Sequence, residues 1–163
     1  MVSRRLSREA GHRRKFLAII DETPECERAA AYAARRARAT NGMIVLLFVV
    51  DAADFQQWLG VERIMRQEAT TAARDALAAA AARVRDSVGI EPELVVREGI
   101  PTEEIIKLIE EDQDIAILVL AAGSGKDGPG PLVASIAGKT PAFPIPVTVV
   151  PQSLTDDEID SLA

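Results

Sequence analysis

Five stretches of the chain are apolar enough to be buried strands, and segments with apolar residues at helical spacing run between them. Residues 15–20 are a short apolar run that stops at Asp21. Residues 43–50 are eight apolar positions without polar alternation, which implies burial on both faces, as in a parallel sheet. Residues 93–97, 115–120 and 147–150 complete the set, the last lying between Pro146 and Pro151. After the first run, Ala29, Ala30, Ala33, Ala34 and Ala37 make a packing stripe that predicts a helix, with Arg28, Arg35 and Arg38 facing water. Thr23 is the expected N-cap, Pro24 the first helical position and Asn41-Gly42 the stop. A long alanine-rich helix is expected over 61–88, closed by Gly89, after a loop that carries Trp58. Thr102 is expected to cap a third helix with Ile105, Ile106, Leu108 and Ile109 inward, and a short fourth one spans about 132–140.

Strands alternating with helices predict an α/β fold, a single-domain three-layer α/β/α sandwich around a five-stranded, mainly parallel sheet, with the last strand free to run either way. Ligands in such sheets bind beyond the carboxyl ends of the strands. Three loops therefore matter: those after Ile20, Val50 and Leu120. Asp21 can accept a ribose hydroxyl or can serve as a turn aspartate. Val49 can pack on a flat base or belong to the core. The third loop, residues 121–131, holds Gly123, Ser124, Gly125, Gly128 and Gly130 and leads into a helix, so its backbone N–H groups could cradle phosphate. Lys126 would help; Asp127, Pro129 and Pro131 oppose it, by charge and by missing donors. Asp127 also follows Gly125-Lys126 where a Walker A loop has Ser or Thr. From these residues alone the loop reads equally as phosphate cradle or flexible connector.

Charge and composition remove other classes. The net charge of −6 disfavours nucleic acid, and aromatics are 4% of the chain, too few for a base-stacking surface. That charge is uneven, about +5 over residues 1–15 and −11 over the rest. No apolar run reaches the ~20 residues that span a bilayer. The single histidine, His12, lies in the tail, so no Ser-His-Asp set can be assembled with it; His12 and the single cysteine, Cys26, lie in different segments and exclude a zinc site of the usual kind, and the cysteine usage fits a cytoplasmic protein. Glu103/Glu104 and Glu110/Glu111 read as solvated helix faces.

Taken in order, these pieces resemble a universal stress protein of the UspA type over about residues 14–151. The resemblance is carried by Leu17-Ala-Ile-Ile-Asp21, the alanine-rich first helix, the strand ending at Val50, Arg97-Glu-Gly-Ile-Pro101, the strand and glycine-rich loop around Leu120, and Phe143-Pro-Ile-Pro-Val-Thr-Val-Val150. It implies the five-stranded fold, a homodimer, and in some members ATP with Mg²⁺. The family's aspartate falls on Asp21 and its base-contacting valine on Val49. Its Gly-x2-Gly-x9-Gly-Ser/Thr motif lands on Ala121, Ser124, Ala134 and Ser135, with Ile136 next, so only the hydroxyl survives. A second register takes Gly125, Gly128 and Gly138 but ends on Lys139.

The expected organisation is a basic flexible tail (1–13), the stress-protein-like domain (14–151) and an acidic tail (152–163) in which Thr155 caps one amphipathic turn. The expected function is a dimeric stress-response protein with ATP at the strand ends. The alternative is a nucleotide-free stress or scaffold module that acts through protein partners. Slow ATP hydrolysis is the most that enzyme chemistry could amount to, since no residue is an obvious base for attacking water. Dimerisation is expected through the last strand, Val147, Thr148, Val149 and Val150, whose edge leaves backbone groups for a second copy.

Overall fold

In the computed structural model, which describes residues 3–55, 60–138 and 143–163, strands and helices alternate along the chain. Strands β1 (Lys15–Ile19), β2 (Met43–Asp51), β3 (Glu93–Gly99), β4 (Ile115–Ala122) and β5 (Val147–Pro151) form one sheet in the order β3-β2-β1-β4-β5. All four pairings are parallel, including β4 with β5. The helices are α1 (Cys26–Ala39), α2 (Glu62–Val88), α3 (Pro101–Glu111), α4 (Pro131–Ala137) and α5 (Asp156–Leu162). Trp58, Lys139 and Thr140 lie outside the described residues. Among the described residues, no helix is long and apolar enough to cross a membrane.

The period-two geometry of the strands divides the core in two. Phe16, Ala18, Ile44 and Leu46 point to the face covered by α1 and α2. Leu17, Ile19, Val45 and Leu47 point to the face covered by α3 and α4. With both faces covered, every residue of the central strands must be apolar, which is the pattern read from 43–50. The alanine stripe of α1 is buried as expected, with Ala29, Ala33, Ala34 and Ala37 each at 0% exposure.

Several helix ends differ from the sequence pattern. α1 starts at Cys26, with Glu25 at the N-cap and no side-chain cap. Thr23 is diverted, because its N–H and hydroxyl both donate to Asp21 Oδ1. α3 is preceded by Ile100, so Pro101 takes the first position and Thr102 falls inside the first turn. Ile106 is half-buried, while the inner face of α3 is Ile105, Leu108, Ile109 and the carboxylate residue Glu104.

Both tails are drawn onto the domain. The Arg5 guanidinium donates through Nη1 to the carbonyls of Ile109 (2.7 Å), Asp112 (3.2 Å) and Ile115 (3.2 Å). Leu6 N–H donates to Gln113 O, and His12 Nδ1 lies 2.8 Å from Asp114 Oδ1. At these positions the basic tail contacts the domain: a cation caps the open carbonyls of Ile109 and Asp112 at the end of α3 and that of Ile115 at the start of β4. At the other end, α5 is a helix rather than a single turn. Thr155 and Glu158 form the full capping box, and Ile159 is buried at 0% exposure. Its acidic side chains cover α1, so Arg28 and Arg35 do not face water. Arg28 pairs with Asp156 at 2.9 Å and donates to Leu154 O, and Arg35 pairs with Asp160. Arg38 alone of the three is exposed.

Arg5→Ala leaves three carbonyls without their charged donor and is expected to lower the unfolding free energy by roughly 1.5–3 kcal/mol. Urea unfolding followed by circular dichroism checks this; an unchanged midpoint would mean that water replaces the guanidinium without loss.

Candidate functional site

β1 lies between β2 and β4, and the connections that follow β1 and β4 leave on opposite faces of the sheet. A crevice opens between such diverging loops. Two hollows occupy it. The larger is a cleft of about 350 Å³ with Ile19, Ile20, Val49 and Leu132 as apolar lining, Asp21 and Asp51 as carboxylates, and Thr102 and Ser135 as hydroxyls. Ile100 and Pro101, at the start of α3, close one side. The smaller hollow is about 30 Å³, between Asp21, Thr23, Glu25, Cys26, Ala121 and Gly130. Size separates their uses. The cleft is in the range of small-ligand sites, roughly 300–1,000 Å³, whereas the hollow has room for about one water.

Asp21 is shared by both. Its Oδ1 accepts from Thr23 N–H at 2.9 Å and from the Thr23 hydroxyl at 2.5 Å. This turn holds the carboxylate still, and Oδ2 has no partner among the described residues. Asp51, one residue past the predicted end of the second strand, accepts from Ala53 N–H at 3.0 Å. Among the described residues, neither hollow is lined by lysine or arginine. Among the described residues, no group of three or more His, Cys, Asp or Glu is placed to hold a metal ion.

The glycine-rich loop is closed on itself. Gly123 N–H donates to Pro129 O at 3.0 Å, and Gly128 N–H to Gly125 O at 3.3 Å. Ser124 donates to Gln152 Oε1 from both its N–H and its hydroxyl, at 3.1 and 3.2 Å. These are donors that a phosphate cradle would aim outward. Gly128 (φ +83°) and Gly130 (φ +108°) provide the left-handed backbone that lets the loop turn back. Glu25 packs into it: a Cβ on Gly123 would stand 3.1 Å from Glu25 Oε1, and one on Gly130 would stand 3.8 Å away. Burial, and with it the charges of Asp21 and Glu25, pushes the Cys26 thiol above its ordinary value. Cys26 is therefore a protonated packing residue of the small hollow rather than a nucleophile.

Of the residues expected at a nucleotide site, Asp21, Val49 and Ser135 meet at the cleft, and Ala121 and Gly130 meet Asp21 at the small hollow. Gly123, Ser124, Gly125 and Gly128 form the closed loop. Ile136 is not part of either; it is 2% exposed and packs with Leu17 and Ile105 in the core, because the inward face of α4 falls on it. Asp51, Ile100, Thr102 and Glu25 were not anticipated. An aspartate ending the second strand, as Asp21 ends the first, was the available signal for Asp51. Glu25 carried no signal, since its contact with the loop spans about a hundred residues of sequence.

Residues 12–151 match the family model described as the Universal stress protein family. No curated protein matches the chain. Among solved structures, the universal stress protein UspA from Lactobacillus plantarum aligns with a TM-score of 0.70 at 17% identity, covering 84% of this chain and 97% of that one. A universal stress protein in complex with cAMP aligns at 0.58 and 16% identity, covering 86% and 98%. The universal stress protein from Archaeoglobus fulgidus in complex with dAMP aligns at 0.53 and 20% identity, covering 84% and 97%. At these identities the likeness is one of fold.

The closed loop makes unequal demands on its glycines. Gly130→Ala, at φ +108°, is expected to cost about 1–3 kcal/mol, whereas Gly125→Ala, with open space at its Cβ, should change stability little. Paired thermal melts decide it; equal losses at both positions would mean that the loop does not hold this conformation.

Proposed function

Because the chain belongs to the universal stress protein family, we propose that it is an adenine-nucleotide-responsive stress protein whose ligand occupies the cleft beyond β1 and β2. The observation that supports this most is the meeting of Asp21, Val49 and Ser135 around one largely apolar cleft of about 350 Å³. The base packs on Val49 with Leu132 nearby, a ribose hydroxyl donates to Asp21 Oδ2, and the 5′ end of the ribose points toward Ser135 and residues 123–130. ATP with Mg²⁺ is the ligand the sequence resemblance implies. The relatives in complex with cAMP and dAMP extend the reading to adenine monophosphates.

A second copy of the chain completes the unit through β5. This strand ends the sheet, so among the described residues one row of its N–H and C=O groups is unpaired within the chain, and Val149 is 45% exposed on it. A two-fold pairing of β5 with its own copy satisfies both. A nucleotide-free scaffold is the second reading, favoured by the internal bonding of the Gly123 and Ser124 amides.

Mass spectrometry of ligand extracted from freshly purified protein, with calorimetric titration of adenine nucleotides, distinguishes the two. Asp21→Ala is expected to weaken binding about tenfold or more, since it removes an acceptor that no neighbour replaces. No extracted nucleotide and no heat would place the protein in the nucleotide-free class. For the dimer, Val149→Asp is expected to give monomer by light scattering, and a persistent dimer would place the interface elsewhere.

A further inference from the structure

The site has an unusual charge for one expected to take polyphosphate. Three carboxylates, Asp21, Asp51 and Glu25, line the two hollows, and among the described residues no basic side chain does. Glu25 is the one placed against the loop. Its Oε1 lies next to Gly123 and Gly130 at once, where a Cβ on either glycine would come within 3.1 and 3.8 Å. Its carboxylate has no hydrogen-bond or ion-pair partner among the described residues. The space left between it and Ala121 is about 30 Å³, too little for a phosphate group. The loop's own donors at Gly123 and Ser124 are meanwhile directed to Pro129 and Gln152.

We infer that Glu25 is a specificity-determining residue: its carboxylate takes the place against the glycine loop that a phosphate chain would need, so that the cleft selects an uncharged adenine nucleoside over ATP. This rests on the nucleotide reading above and narrows it. Adenosine needs the apolar lining around Val49 and an acceptor at Asp21, both present. ATP adds several negative charges that would have to approach Glu25 and Asp51, and among the described residues that line the cleft and the hollow none is a lysine or arginine. A like charge at short range in a partly dry site is a strong discriminator. The same arrangement explains how a family-type cleft coexists with alanine at two of the family's glycine positions, Ala121 in β4 and Ala134 in α4. Without phosphate to contact, there is no close backbone approach for those glycines to permit.

The test is calorimetric titration of the full chain with adenosine, cAMP and ATP, the last in EDTA and again in Mg²⁺. Adenosine is expected to bind at least about tenfold more tightly than ATP, with singly charged cAMP between them. Glu25→Gln keeps the shape and removes the charge. It should tighten ATP about tenfold while leaving adenosine within about twofold. Asp127→Asn removes an exposed charge from the same loop and should do neither. Several results would overturn the inference while leaving the nucleotide reading intact: ATP binding the unaltered protein as tightly as adenosine, Mg²⁺ alone restoring ATP to that level, or Asp127→Asn matching Glu25→Gln. No binding of any of the three, with no extracted nucleotide, would overturn the nucleotide reading and this inference with it.

Discussion

The parallel pairing of β1 with β2 on one side and β4 on the other sets the position of everything else. It places Leu17, Ala18 and Leu118 at 0% exposure in the middle of the sheet. Because all strands run one way, their carboxyl ends share one edge. Because the winding reverses at β1 and β4, the crevice opens at that point and no other. Ile19 and Ile20 then serve twice, as core below and as cleft lining above. The side chains that stabilise the sheet therefore also position the site, and neither can be altered alone.

The uneven charge of the chain is spent within the molecule. Arg5 closes the carbonyl end of α3, and the acidic α5 lies over the arginines of α1. Each contact joins a tail to the element whose exposed groups complement it: a cation to free carbonyls, carboxylates to guanidinium groups. Alanine makes the second contact possible. With Ala30, Ala33 and Ala37 as its inner stripe, α1 sits close to the strands, leaving its arginines at the rim within reach of α5.

The site itself shows opposing demands. Its cleft has the apolar walls and fixed acceptor that a nucleoside needs, while the adjoining loop is folded inward. Gly128 and Gly130 allow that folding, Pro129 and Gln152 supply the acceptors, and Glu25 fills the remaining gap. A loop rich in glycine is not by that fact a phosphate site. What counts is where its N–H groups point, and here those of Gly123, Ser124 and Gly128 point to protein oxygen.

The sequence by itself determined the five strands, the order of the elements, the double burial of 43–50 and the alanine face of α1. Each depends on periodicity, and periodicity is local. It also singled out Asp21, Val49 and Ser135, which meet at the cleft, because strand ends and a family-like order of motifs place them there. Tertiary structure alone decided the rest. Whether Thr23 caps a helix or bonds Asp21, whether Arg28 and Arg35 meet water or α5, and whether Ile136 turns to the cleft or the core are choices between partners of similar local merit. So is the position of Glu25 against a loop a hundred residues away. Contacts between distant segments settle such choices, and no pattern within a segment records them.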